Sequence, residues 1–132
     1  MKIEITPIDA IDDGILATVE GQWDHHEIAG LAAEIKRLSP TYLVLDPTNI
    51  IAVSTQATPI EGAIEIRRKN NLTIIHMLVE NPRMLYIIIN RNENPAFLSS
   101  MPLYEEYGVV DRYFFVKTLD EALDIIRRHQ VQ

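Results

Sequence analysis

Four consecutive apolar residues, Tyr42-Leu43-Val44-Leu45, run into Asp46 and constrain the fold more than any other segment of the chain. An apolar run without alternation suits a strand buried on both faces, as in an α/β sheet covered by helices on either side. The run predicts a central strand over Tyr42–Leu45 that stops at Asp46. A connector follows, and Ser54-Thr55-Gln56-Ala57-Thr58 then places three hydroxyls ahead of a helix signal. Thr58 suits the N-cap, Pro59 the first helical position, and Glu61 completes a capping box. The free backbone N–H groups and the macrodipole of a helix start favour negative charge, so a phosphate would be tolerated there. Asp46, at the end of its strand, is placed either for a ligand or partner or for backbone hydrogen bonds in the turn before Pro47.

Strand and helix signals alternate along the rest of the chain. Lys2–Thr6 alternates polar and apolar residues, and Ile15–Glu20 reads as a second strand after a turn at Asp12-Asp13-Gly14. Asp24 with Glu27 opens a helix whose stripe is Ile28, Leu31, Ala32, Ile35 and Leu38, closed by Ser39-Pro40. The helix over 59–69 is expected to bury Ile60, Ala63 and Ile64. It ends in Arg67, Arg68 and Lys69, with Asn70-Asn71 as its stop. Leu72–Val79 then reads as a strand. Arg83–Asn92 fits a helix opened by Pro82 or an isoleucine-rich strand, and the proline favours the helix. Residues 94–108 read as a loop with a helical turn near Leu103–Tyr107, and Arg112–Lys117 as a strand. Thr118 and Glu121 cap a final helix that turns Ala122, Leu123 and Ile126 inward. The sum is one α/β domain over 1–132: a mixed sheet of four to five strands packed with helices at 24–38, 59–69 and 119–129.

Composition excludes several classes of function. A formal charge of −7, with Lys and Arg scattered, argues against nucleic acid or an anionic membrane as partner. With no cysteine there is no thiol nucleophile and no cysteine metal site, and a reducing compartment is compatible. The N-terminal segment lacks a signal-peptide apolar region, and the apolar run at Leu85–Ile89 is far too short to span a bilayer. A soluble, cytoplasmic protein is the expectation.

Other chemistry-bearing residues have plain alternatives. His25 and His26 are adjacent in a first helical turn and point apart, so solvated side chains explain them better than a metal site. His76, in the apolar segment, invites a triad with Asp46 and a hydroxyl, but no nucleophile elbow or oxyanion glycine loop accompanies it. Trp23 suits packing at a rim. Phe97, Leu98, Met101, Leu103, Tyr104 and Tyr107 crowd a proline-containing loop. Such a loop folds over the core, or forms an interaction patch or pocket lid.

The order of elements resembles a STAS domain, the type found in anti-sigma factor antagonists and sulfate-transporter tails. The matching residues are Gly21, Leu43-Val44-Leu45-Asp46 with Thr48, the Ser54-Thr55 turn, and Phe114–Val116 leading into Leu119–Leu123, spanning about residues 12–128. The resemblance implies a non-enzymatic regulatory domain without cofactor or metal. It would bind a protein partner, an anti-sigma factor or a serine/threonine kinase, through the 46–58 turn. In the family an aspartate commonly precedes the phosphorylated hydroxyl. Here Ser54 stands at that position, Thr55 matches the acceptor, and the Gly-Leu that often follows is absent. The expected site residues are therefore Thr55, Ser54, Asp46, Thr48 and Thr58, and a homodimer stays open. The alternative is a STAS-like domain holding a small apolar ligand or lipid in a cavity beneath the 94–108 loop.

Overall fold

The computed structural model describes residues 1–51 and 60–131. Strand β3 (Tyr42–Ile51) is the middle of a five-stranded sheet. It is flanked by β2 (Gly14–Gln22) and β4 (Leu85–Ile89), with β1 (Lys2–Pro7) and β5 (Tyr113–Val116) at the edges. β1 pairs antiparallel with β2, and the remaining pairs are parallel. This is the mixed sheet with a central Tyr42–Leu45 that the sequence predicts. Leu43 and Leu45 pack into the core on one face, Tyr42 and Val44 into the core on the other.

The strand does not stop at Asp46. Its ladder with β4 ends at the pair Leu45–Ile88, while pairing with β2 continues through Pro47–Val19 and Thr48–Glu20. A proline is tolerated there because beyond Leu45 the strand is paired on one side only. Gly21, which the sequence places after the second strand, lies inside β2 with φ of +100°, at a shift in register between Glu20 and Gln22. A positive φ at a bulge is where glycine is needed.

Helix α1 (His25–Leu38) begins as expected: the Asp24 carboxylate accepts from the backbone N–H of His26 at 2.8 Å and Glu27 at 3.4 Å. Helix α5 (Leu119–Gln130) is capped by Thr118, whose hydroxyl accepts from the N–H of Glu121 at 3.2 Å. Between them lie two corrections. The segments read as a helix ending at Lys69 and a strand from Leu72 are one helix, α2 (Ile60–Glu80). Ile74, Ile75 and Leu78 are buried while His76 and Val79 face out, a helical period hidden within a dense apolar run. Asn70 and Asn71 do not end the helix because their amides find partners: Asn70 Nδ2 donates to His25 O at 3.0 Å and Asn71 Nδ2 to Arg67 O at 3.1 Å. Arg67, Arg68 and Lys69 thus sit in mid-helix. Ile64, expected to be buried, is 59% exposed.

The second correction is Arg83–Asn92, which is not a helix. Its core is β4, whose five residues are all buried between β3 and β5. Pro82 belongs to the turn leaving α2. The segment read as a loop holds two short helices, α3 (Pro95–Leu98) and α4 (Met101–Glu106), and a 3-10 turn (Val110–Arg112) precedes β5. Helices α1 and α2 share one core with the Leu43 face of the sheet, to which Tyr104 of α4 also belongs. Helix α5 covers the Tyr42 face. Among the described residues, no helix is long and apolar enough to cross a membrane.

Candidate functional site

Two regions could carry function, on opposite faces of the sheet. The first is the end of β3. Asp46 is 7% exposed, and both of its carboxylate oxygens accept from the Arg91 guanidinium, Oδ2 from Nη2 at 3.1 Å. That forked pair satisfies a charge that would otherwise be costly to bury, and it raises Arg91 above its ordinary value. Arg91 leaves β4 beside Asn90, whose side chain closes the following turn by accepting from the N–H of Asn94 at 2.9 Å. Thr48 follows Asp46 on the same side of β3 by strand alternation and is half-buried. Ser54, Thr55 and Thr58 lie outside the described residues, as does the expected cap of α2.

His76 does not approach Asp46. It is exposed on α2, edge-on to Tyr107 with ring centroids 6.1 Å apart, whereas strand alternation puts Asp46 on the Val44 face of β3, the face that α5 covers. The triad geometry is therefore absent. Among the described residues, no group of three or more His, Asp or Glu is placed to hold a metal ion.

The second region is a chamber of about 110 Å³ between the sheet, α1, α2 and α3. Its inner wall is Leu31, Ala32, Ile35, Leu43, Leu45 and Ile74, all buried. Its floor includes Tyr86 and Tyr113, and Tyr113 is stacked on Tyr104 at 3.7 Å with planes 10° apart. Burial pushes all three phenols up, so they stay protonated. Half-buried lining residues mark the mouth, among them Trp23, His25, Arg67, Asn70, Asn71 and Phe97. Trp23 meets Phe97 edge-on at 5.6 Å and donates its indole N–H to His25 Nδ1 at 3.3 Å. Burial, and then the charge of Arg67, hold His25 below its ordinary value. The imidazole is thus neutral at pH 7, and with Nδ1 accepting, Nε2 carries the proton.

A hydrogen-bonded seam closes the mouth against the α3–α4 corner. Arg67 Nη2 donates to the hydroxyls of Ser99 and Ser100, the latter at 3.2 Å. Asn71 Nδ2 donates to Ser100 Oγ at 3.3 Å, and the Tyr104 hydroxyl donates to Asn71 Oδ1 at 2.8 Å. The crowded aromatic segment therefore divides. Tyr104 enters the core and Phe97 walls the mouth, while Leu98 and Tyr107 stay exposed. Of the polar members of the mouth, His25 is weighed in the sequence as a metal ligand, while Arg67, Asn70 and Asn71 read there as a helix end. Their signal was the spacing of Arg67, Asn70, Asn71 and Ile74, one stripe of a helix that had been cut in two.

No family model and no curated protein matches the chain. Among solved structures, the chain is similar to the anti-sigma factor antagonist SpoIIAA in its unphosphorylated form. Identity is 13%, coverage 96% of this chain and 97% of that chain, and the TM-score 0.48.

Proposed function

We propose that the chain is a single non-catalytic binding domain, acting in the cytoplasm, whose working site is the chamber, and that its ligand is a small apolar molecule. The observation that carries this is the chamber itself. Protein interiors are packed to crystal-like density, so a pocket of about 110 Å³ that reaches from a polar mouth to an aliphatic inner wall is a departure from ordinary packing. Apolar cavities of this order take up guests such as benzene. Toluene titrated into the protein should give a saturable shift of the Trp23 indole N–H resonance. Ala32→Leu, which adds bulk to the inner wall, should weaken that binding by at least about tenfold, or 1.4 kcal/mol. A shift that never saturates, or one unaffected by Ala32→Leu, would count against the chamber as the site.

A second reading is favoured by Ile64, a large apolar residue left 59% exposed near the start of α2. Here the domain binds a protein partner, an anti-sigma factor or serine/threonine kinase, through the segment 46–58. Thr55 is the phosphorylated residue, with Ser54 the alternative, and Asp46, Thr48 and Thr58 complete the set of site residues. A phosphate adds about −1.5 to −2 charges to a surface fitted to a neutral hydroxyl. Thr55→Glu is then expected to weaken the partner complex by about 1–3 kcal/mol without unfolding the domain. Phosphosite mapping after incubation with a copurified partner and ATP checks it. Phosphate found only outside 54–58, with unchanged binding by Thr55→Glu, would remove this reading.

A further inference from the structure

We propose that the ligand of the chamber is a small carboxylic acid, its ring-sized or short-chain apolar body inside and its carboxylate on Arg67 at the mouth. This rests on the chamber being a ligand site and adds which end of the molecule is recognised, and how.

Size limits the body. An engineered cavity of about 150 Å³ accommodates benzene. A chamber of about 110 Å³ therefore takes at most one ring or a short alkyl chain, with the remainder of the molecule at the mouth. A long acyl chain would have nowhere to go without displacing the inner wall.

Charge and donor chemistry select the head group. The protein carries a formal charge of −7, yet among the described residues the chamber lining contains Arg67 and no Asp or Glu. Of the other polar groups in the lining, the asparagine Nδ2 groups already donate to His25 O, Arg67 O and Ser100 Oγ, and His25, with Nδ1 accepting from Trp23, presents Nε2–H. Arg67 Nη2 donates to the hydroxyls of Ser99 and Ser100, which are neutral acceptors. A carboxylate is a stronger acceptor for a guanidinium than a hydroxyl and can engage two N–H groups at once. An entering acid would thus take over the bonds now given to the serines. Those bonds tie α2 to the α3–α4 corner that carries Phe97, so recognition of the head and access to the chamber use the same side chain. A neutral molecule of the same shape offers the guanidinium only a weaker acceptor.

The test compares three probes of one ring size: benzoate, its neutral isostere benzamide, and toluene, each titrated at pH 7 and followed by the Trp23 indole resonance. Benzoate should bind about tenfold or more tighter than benzamide. That preference should be lost in Arg67→Met and largely kept in Arg67→Lys, which retains the charge. If Arg67→Met does not fold, the benzoate-to-benzamide ratio of the native protein decides alone. Saturable toluene binding with benzoate no tighter than benzamide would overturn the acid while leaving the chamber as a ligand site. Saturation by none of the three would overturn both.

Discussion

Tyr104→Ala is expected to destabilise the fold by about 3–5 kcal/mol, the range found when a large buried aromatic is truncated to alanine. Tyr104 is 0% exposed, lies flat on Tyr113, and adjoins Tyr86 at 6.3 Å. Its removal leaves a void too large for neighbouring side chains to close. It also strips Asn71 Oδ1 of the hydroxyl that donates to it. Chemical denaturation separates the two parts. Tyr104→Phe should cost only about 1 kcal/mol, the net worth of one hydrogen bond. Equal losses for the alanine and phenylalanine variants would mean that the stack contributes little. Because Tyr113 lines the chamber, Tyr104→Ala should disturb ligand binding as well.

Arg112→Met should cost about 2–3 kcal/mol, and for a different reason. From the 3-10 turn before β5, Arg112 donates to three backbone carbonyls: Leu78 O at 2.7 Å, Asn81 O at 2.9 Å and Met84 O at 3.3 Å. These belong to the end of α2 and the turn into β4, where helix carbonyls have no intrahelical partner. Hydrogen bonds from a charged donor are worth about 1.5–3 kcal/mol each, and half-burial reduces the sum. Methionine preserves the apolar stem and removes the donors. A Tm within a degree of the native protein would show that water replaces the guanidinium at no cost.

The same long-range bonds explain what was and was not legible in the sequence. The central strand and the starts of α1 and α5 could be read because their signals are local. Asp24 and Thr118 bond to amides two or three residues away, and four apolar residues in a row need cover on both faces. The division of α2 failed because Asn70 and Asn71 look like a stop when considered alone. Their side chains are satisfied by His25 O, Ser100 Oγ and the Tyr104 hydroxyl, residues distant in sequence. With a helix end placed at Asn70-Asn71, Pro82 reads as opening a helix where β4 in fact runs. Asp46 reads in the sequence as placed for a ligand or partner or for backbone hydrogen bonds before Pro47, because its partner Arg91 lies far along the chain. The chamber was anticipated only as a cavity beneath the 94–108 segment. A void has no residue of its own, and Arg67, Asn70 and Asn71 were assigned to a helix end.

The account turns on whether the space between α1, α2 and the sheet is a dry chamber that outside molecules can enter. Crystals pressurised with xenon test this most directly, because xenon occupies apolar cavities without hydrogen bonding. Ordered xenon in contact with Leu31, Ile35, Leu45 and Ile74, absent in Ala32→Leu, is the predicted result. A chamber filled by repositioned side chains or ordered water, with no xenon in it, would contradict the account.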